Sequence, residues 1–266
     1  MNNEMKITPA DSKYIRLVQI TDTHISTETG EQFENFDTRE SLGRVIKAIN
    51  AFETAPDAVL LTGDLVHEAG EIVYRKLLEQ LTLIKAPVIC LPGNHDDPVL
   101  MNKVLNAQNV STDKVLSLDQ WTVILLNTWI PDSHSGRLSE QELEFLDTTL
   151  AGNADKFILV CMHHPPVKIG SPWMDAMMLE NPQSLFDIID ANPRVRGVIW
   201  GHIHQEFYIE RNGMKLLGTP STCVQFKPDT ERFAKDVLPP AFRLLSLQRD
   251  GGMESKIFWV KGRDIS

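Results

Sequence analysis

Short apolar, β-prone runs alternate along this chain with stretches whose apolar positions recur at helical spacing. Tyr14–Thr21 reads as a buried strand, and a helix over Ser41–Phe52 follows, capped by Asp37 with Glu40. Ala58–Thr62 is the next strand. A helix over Val73–Ile84 leads to strand Pro87–Leu91, and a short helix over Val99–Leu105 closes the portion. This βαβαβα order predicts parallel strands.

A hairpin-like pair comes next, Val115–Leu118 and Trp121–Thr128, joined at Asp119-Gln120. Ser139 and Glu142 form a capping box ahead of a helix over Gln141–Leu150. Strand Phe157–Met162, a Trp- and Met-bearing loop (170–182), a helix over Gln183–Asp190 and strand Val195–Trp200 complete the alternation. The pattern then turns antiparallel. Phe207–Glu210 and Met214–Leu217 flank Asn212-Gly213, a strong hairpin signal, and Phe242–Gln248 and Lys256–Val260 flank Asp250-Gly251-Gly252. With no internal repeat or long linker, the expectation is one α/β domain over residues 1–266. It has two sheets with helices outside, and the antiparallel strands (about 205–262) complete the second sheet.

The residues just past the strand ends carry the chemistry. Five strands run directly into Asp22-Thr23-His24, Gly63-Asp64, Gly93-Asn94-His95-Asp96, His163-His164 and Gly201-His202-Ile203-His204. Six of the eight histidines lie in these clusters, and only His67 and His134 lie outside. Sites in α/β sheets form beyond the carboxyl ends of strands, so these side chains meet if the strands end at one rim. Imidazole, carboxylate and carboxamide are the donors that borderline and hard divalent metals prefer. Together they exceed what one ion needs, which points to a dinuclear metal site. Two ions roughly 3.5–4 Å apart share a carboxylate and a water whose pKa falls from about 15.7 toward about 7. The hydroxide so formed attacks phosphorus in line with a leaving oxygen.

Composition changes this picture little. Apolar residues make up 42% and charged residues 23%, as in ordinary globular chains. Cys90, Cys161 and Cys223 are odd in number and form no Cys-x-x-Cys pair, which argues against a disulfide framework and for the cytoplasm. The first residues lack the apolar core of a secretory signal, and no apolar run is long enough to span a membrane. A net charge of −10 without a Lys/Arg run argues against a nucleic-acid-binding surface. It leaves a small anionic substrate open: two divalent ions outweigh Asp22 and Asp64 locally, and salt screens distant acids beyond about 8 Å.

The order D-x-H, G-D, G-N-H-D, H-H, G-H-x-H resembles the calcineurin-like metallophosphoesterases over essentially the whole chain. Within that family, HHPP, the PWMD and LEN stretches, GHIHQEF and TPSTCVQFKP (219–228) resemble the bacterial class III cyclic-nucleotide phosphodiesterases. The resemblance implies a four-layer α-β-β-α sandwich with two mixed β-sheets, two divalent ions, and hydrolysis of 3′,5′-cyclic AMP to 5′-AMP. It assigns Asp22, His24, Asp64 and His204 to one ion and Asp64, Asn94, His163 and His202 to the other. Asp64 is shared, and Fe or Mn, with Zn or Co as alternatives, is the metal. His95 would protonate the leaving oxygen, and His24, Asp64, Asn94, His95 and His204 would face the substrate. A homodimer is an expectation of the resemblance alone.

Other positions stay open. Strand alternation sends His164 away from His163, toward a packing or supporting role. His67 is near enough to Asp64 to reach the pocket rim, and His134 reads as a loop histidine. Trp173 with Met174, Met177 and Met178 suits a wall for a purine, a dimer contact or plain core. Gly63–Glu68 lacks the G-D-x-x-D-R-G of Ser/Thr protein phosphatases, which argues against phosphoprotein substrates and leaves the partner of His95 unidentified. Other small phosphodiesters, such as glycerophosphodiesters, are the nearest alternative substrates, and a non-catalytic scaffold is the alternative of a different class.

Overall fold

Side chains on a strand alternate between two faces, and here that alternation builds three cores instead of one. The computed structural model describes residues 4–11, 13–26, 32–33 and 36–261. Its strands are β1 (Glu4–Lys6), β2 (Tyr14–Ile20), β3 (Gln32–Phe33), β4 (Phe36–Asp37), β5 (Ala58–Thr62), β6 (Val88–Leu91), β7 (Val110–Ser111) and β8 (Val115–Leu118). They continue with β9 (Trp121–Leu125), β10 (Phe157–Cys161), β11 (Val195–Trp200), β12 (Phe207–Arg211), β13 (Met214–Gly218), β14 (Ala241–Gln248) and β15 (Met253–Trp259). The helices are α1 (Thr38–Asn50), α2 (Glu71–Leu81), α3 (Pro98–Leu105), α4 (Glu140–Gly152), α5 (Pro172–Asp175) and α6 (Pro182–Ile189).

One mixed sheet has the order β15-β14-β2-β5-β6-β7 and the other β1-β8-β9-β10-β11-β13-β12. Leu17, Leu60 and Ile89 from the first sheet pack against Val123, Leu159 and Ile199 from the second. Their neighbours point the other way. Val18, Val59 and Val88 pack under α1, α2 and α3 with Leu42, Leu77 and Met101. Ile158, Val160 and Val198 pack under α4 and α6 with Leu146, Leu150 and Ile189. Four layers, helix–sheet–sheet–helix, follow from that split.

The local signals mostly hold. Asp37 accepts a hydrogen bond from Glu40 N (2.9 Å) and Ser139 Oγ from Glu142 N (3.2 Å), capping α1 and α4. Asn212 and Gly213 both take positive φ (49° and 77°) in the two-residue turn between β12 and β13. The segment predicted as a loop carries the short helix α5, because Pro172 opens a turn that Asp175 closes by accepting from Ile169 N (2.7 Å).

One expectation needs correcting. The four C-terminal strands do not complete one sheet together. Strands β12 and β13 extend the seven-stranded sheet, with β13 parallel to β11, whereas β14 runs antiparallel to β2 in the other sheet. The edge of β2 is otherwise unpaired, and its buried backbone groups need partners. Residues 219–240 therefore cross from sheet to sheet over the rim where the strands end. Beneath that crossing, Gln19 Nε2 donates to Thr62 Oγ1 (2.9 Å) and Trp200 O (3.1 Å), and Thr219 Oγ1 donates to Gln19 Oε1 (2.6 Å). Buried Arg243 donates to Thr219 Oγ1 (2.8 Å) and Gly218 O (2.7 Å). This polar seam ties the two sheets together directly under the polar clusters at their strand ends. Among the described residues, no helix is long and apolar enough to cross a membrane.

Candidate functional site

Strands β2, β5 and β6 are parallel neighbours, as are β10 and β11 in the facing sheet. All five end at one rim. There the chain leaves extended geometry abruptly: Asp22, His24, Asp64, His202 and His204 all have φ between 42° and 66°. Non-glycine residues in this left-handed region are uncommon and cluster where function holds them. The paired turns at 22 and 24, and at 202 and 204, bring residues two apart to the same centre. His204 Nε2 lies 3.3 Å from Asp22 Oδ1 and 3.3 Å from His24 Nε2. Across the sheets, His202 N donates to both Asp22 carboxylate oxygens at 3.0 Å.

Asp64 occupies the middle. Its Oδ1 is 3.3 Å from His163 Nε2 and accepts from His95 N (3.0 Å), and its Oδ2 is 3.7 Å from His24 Nε2. Asn94 Oδ1 stands 3.2 Å from His163 Nε2. The donor atoms of Asp22, His24 and His204 lie within 4.8 Å of one another, as do those of Asp22, Asp64 and His163, and those of His163, His164 and His202. All seven residues predicted to hold metal thus converge. The glycines of the motifs permit this closeness. A Cβ on Gly93 would meet Asp64 N and Oδ1 at 2.2 Å, and one on Gly201 would meet Thr21 Oγ1 at 2.0 Å. Neither position has room for any side chain.

The donors suit a divalent ion. His202 Nε2 is buried without a hydrogen-bond partner. His163 Nδ1 lies 2.9 Å from Thr62 O and His204 Nδ1 2.7 Å from Val224 O. Donating Nδ1–H to a carbonyl leaves the Nε2 lone pair directed at the shared centre, the usual arrangement behind a ligating imidazole. Burial drives His24 and His202 well below the usual histidine range, so both are neutral. Burial also pushes the nearby Cys223 thiol up to about 12, so it offers no thiolate. A set of imidazole, carboxylate and carboxamide donors suits borderline or hard ions.

His163 and Asp64 titrate as a pair. Burial opposes the charge on each, but their mutual attraction and hydrogen bond prevail. Asp64 is held well below the usual carboxylate range and His163 is raised to about 9. A ligating imidazole must be neutral, so below pH 9 an incoming ion displaces the proton from His163. Metal affinity should therefore rise with pH from 7 to 9, with a proton released at neutral pH. Titration calorimetry in buffers of different ionisation enthalpy measures this; uptake independent of pH across that window would contradict it.

Three contributions were not assigned from sequence. His95 Nδ1 donates to the His67 carbonyl oxygen (2.8 Å), so the orienting partner absent from the motif is a backbone atom. The His67 ring stacks on His95 with centroids 5.4 Å apart. Asp96, in the Gly93-Asn94-His95-Asp96 cluster, accepts from Gly93 N (2.8 Å), Leu65 N (3.1 Å) and Tyr74 Oη (2.9 Å), and so fastens the loop after β5 to the loop after β6. Burial, then the charge of Asp64, lifts its carboxyl to about 7. His134 stands within 3.4 Å of Asn94 Nδ2 and lines the pocket. His164 packs against His163 and His202 with Nδ1 2.7 Å from Thr128 Oγ1, a supporting place.

The cavity over the centre measures about 200 Å³ and is lined by His24, Asp64, Asn94, His95, His134, His202 and His204. Trp173, Met174, Met177 and Phe226 form its other wall. A larger cavity of about 330 Å³, beside Pro92, Val99 and Lys114, has no imidazole in its lining and lies apart from this chemistry.

Known proteins share both sequence and fold. The family model described as calcineurin-like phosphoesterase matches residues 15–206. A 3′,5′-cyclic adenosine monophosphate phosphodiesterase (CpdA) of Pseudomonas aeruginosa is 36% identical over 250 residues, covering 94% of this chain and 92% of the relative. A 3′,5′-cyclic-nucleotide phosphodiesterase of Nostoc is 38% identical over 243 residues, covering 91% of each. The crystal structure of a dimetal phosphatase from Danio rerio superposes with a TM-score of 0.61 at 14% identity, covering 94% of this chain and all of that one. On the family match, the relatives and the fold together, this chain belongs to the calcineurin-like phosphoesterases.

Proposed function

We propose that this chain hydrolyses 3′,5′-cyclic AMP to 5′-AMP at a dinuclear metal centre in the cytoplasm. The observation that carries the reading is the convergence of donors from five strand ends on Asp22 and Asp64, with His95 beside them. The names of the Pseudomonas and Nostoc relatives, and the near-complete overlap with them, supply the substrate. Three buried, unpaired cysteines suit a reducing compartment.

Asp22, His24, Asp64 and His204 would hold one ion, and Asp64, Asn94, His163 and His202 the other, with Asp64 common to both. The donor types suit Fe or Mn, and admit Zn or Co. Two such ions, when bound, supply Lewis acidity toward phosphoryl oxygens and acidify water at neutral pH. The rest is done by the chain. Asp64, fixed by His95 N, sets the spacing of the two halves. Asp22 and Asp64 leave the centre cationic once loaded, which draws in the phosphodiester. His95 has Nδ1 committed to the His67 carbonyl, which leaves Nε2 for proton transfer. As water oxygen bonds to phosphorus and the bond to the 3′ oxygen breaks, His95 delivers a proton to that oxygen.

The test compares kcat/KM for 3′,5′-cyclic AMP, 2′,3′-cyclic AMP and a glycerophosphodiester on one Mn²⁺-supplemented sample. The first should dominate. A strong preference for the glycerophosphodiester, or inertness toward all three with the centre loaded, would overturn the proposal.

A further inference from the structure

The site has two chemically opposite walls, and the proposed hydrolysis engages only one of them. Imidazoles, carboxylates and a carboxamide suit a phosphoryl group. The other wall, Trp173, Met177 and Phe226, offers nothing to a phosphate. Building on the cyclic-nucleotide reading, we infer that this wall is the platform for the substrate's heteroaromatic base, with Trp173 as the stacking surface and main specificity-determining residue.

The wall is joined to the metal-binding side. Phe226 stacks flat on His204, with centroids 4.0 Å apart and planes at 3°, and meets Trp173 at 5.5 Å. Phe233 closes the aromatic cluster, 5.5 Å from Trp173 and 5.2 Å from Phe226. A base on Trp173 is therefore placed relative to the same imidazole that faces the phosphodiester.

The wall is also preformed. Trp173 Nε1 donates to Thr230 Oγ1 (3.2 Å), which satisfies the indole's polar atom. Leu179 N donates to Pro165 O (3.0 Å) and Glu180 N to Gly136 O (2.7 Å), which fastens this segment beside His163-His164 and beside the loop bearing His134. The wall residues of this segment differ in exposure. Met174 is 1% exposed, whereas Trp173 and Met177 are only partly buried and keep surface at the cavity. A fixed indole with its N–H already bonded presents an apolar π-face, and bases stack on such faces whatever their hydrogen-bonding edge.

The experiment uses metal-loaded enzyme and measures inhibition constants for 5′-AMP and ribose 5-phosphate, which share phosphate and sugar and differ by the base. Wild type should bind 5′-AMP about tenfold or more tightly than ribose 5-phosphate, the scale of one base–aromatic stack. Trp173→Ala and Trp173→Leu should weaken 5′-AMP about tenfold, with ribose 5-phosphate affinity and metal content as in wild type, and Trp173→Phe should restore most of the preference. The leucine variant keeps apolar packing without a flat face, which separates stacking from misfolding. Equal effects on both inhibitors, or none, overturn the assignment. If cyclic AMP is still hydrolysed in that case, only the base platform falls. A wild type that neither prefers 5′-AMP nor hydrolyses cyclic AMP removes the platform and the substrate reading together.

Discussion

Alanine at position 64 should empty the centre of both ions and abolish turnover. The Asp64 carboxylate reaches both halves of the site: Oδ1 stands 3.3 Å from His163, and Oδ2 stands 3.7 Å from His24. Its loss leaves Asp22 as the one carboxylate among the predicted ligands of two divalent cations, and mutual repulsion between the ions is then poorly offset. It also removes the charge and hydrogen bond that do most to raise His163, leaving burial opposed by Asp22 and the Thr62 carbonyl. Elemental analysis of purified Asp64→Ala should find less than one metal per chain, beside a circular dichroism spectrum like wild type. Asp64→Asn separates charge from shape, since it keeps an oxygen donor and the volume; it should also lose metal. Normal metal content in the alanine variant would show that the two ions do not depend on a shared carboxylate.

The candidate site was legible in the sequence because its chemistry and its topology share one signal. A buried parallel strand is a short apolar run, and the first polar residues after it mark the rim. Asp22, Asp64, Asn94, His163 and His202 could thus be placed together although they span much of the chain. The supporting atoms lack such a signal. The group that orients His95 is the His67 carbonyl, and every residue has a carbonyl. Asp96 bonds two backbone N–H groups from different loops, a contact that depends on how those loops cross. His134 belongs to a loop between distant elements, and its place beside Asn94 depends on how the segment around Gly136 is tied to that around Leu179. The antiparallel strands were visible singly from Asn212-Gly213 and Asp250-Gly251-Gly252, but not their division between sheets. That division turns on which strand edge is still unpaired, a property of the assembled fold.

His95→Ala should keep its ions and lose on the order of 10²–10⁴ in kcat on 3′,5′-cyclic AMP, the usual worth of a positioned acid. The metals should stay because the backbone N–H to Asp64 survives the substitution, and neither Asp22 nor Asp64 depends on the His95 ring for its position. The size of the loss should depend on the leaving group. The 3′ oxygen of ribose departs as a poor alkoxide and needs the proton that His95 provides. The p-nitrophenolate from bis(p-nitrophenyl) phosphate departs unaided, so on that substrate the same variant should lose far less. The ratio of the two losses decides the role. A large loss on cyclic AMP with a small one on the aryl ester identifies proton delivery. Equal losses on both substrates would mean that His95 stabilises charge on the phosphoryl group without giving up a proton. No loss on either would place the acid elsewhere, and His67, stacked on His95, is the next residue to substitute.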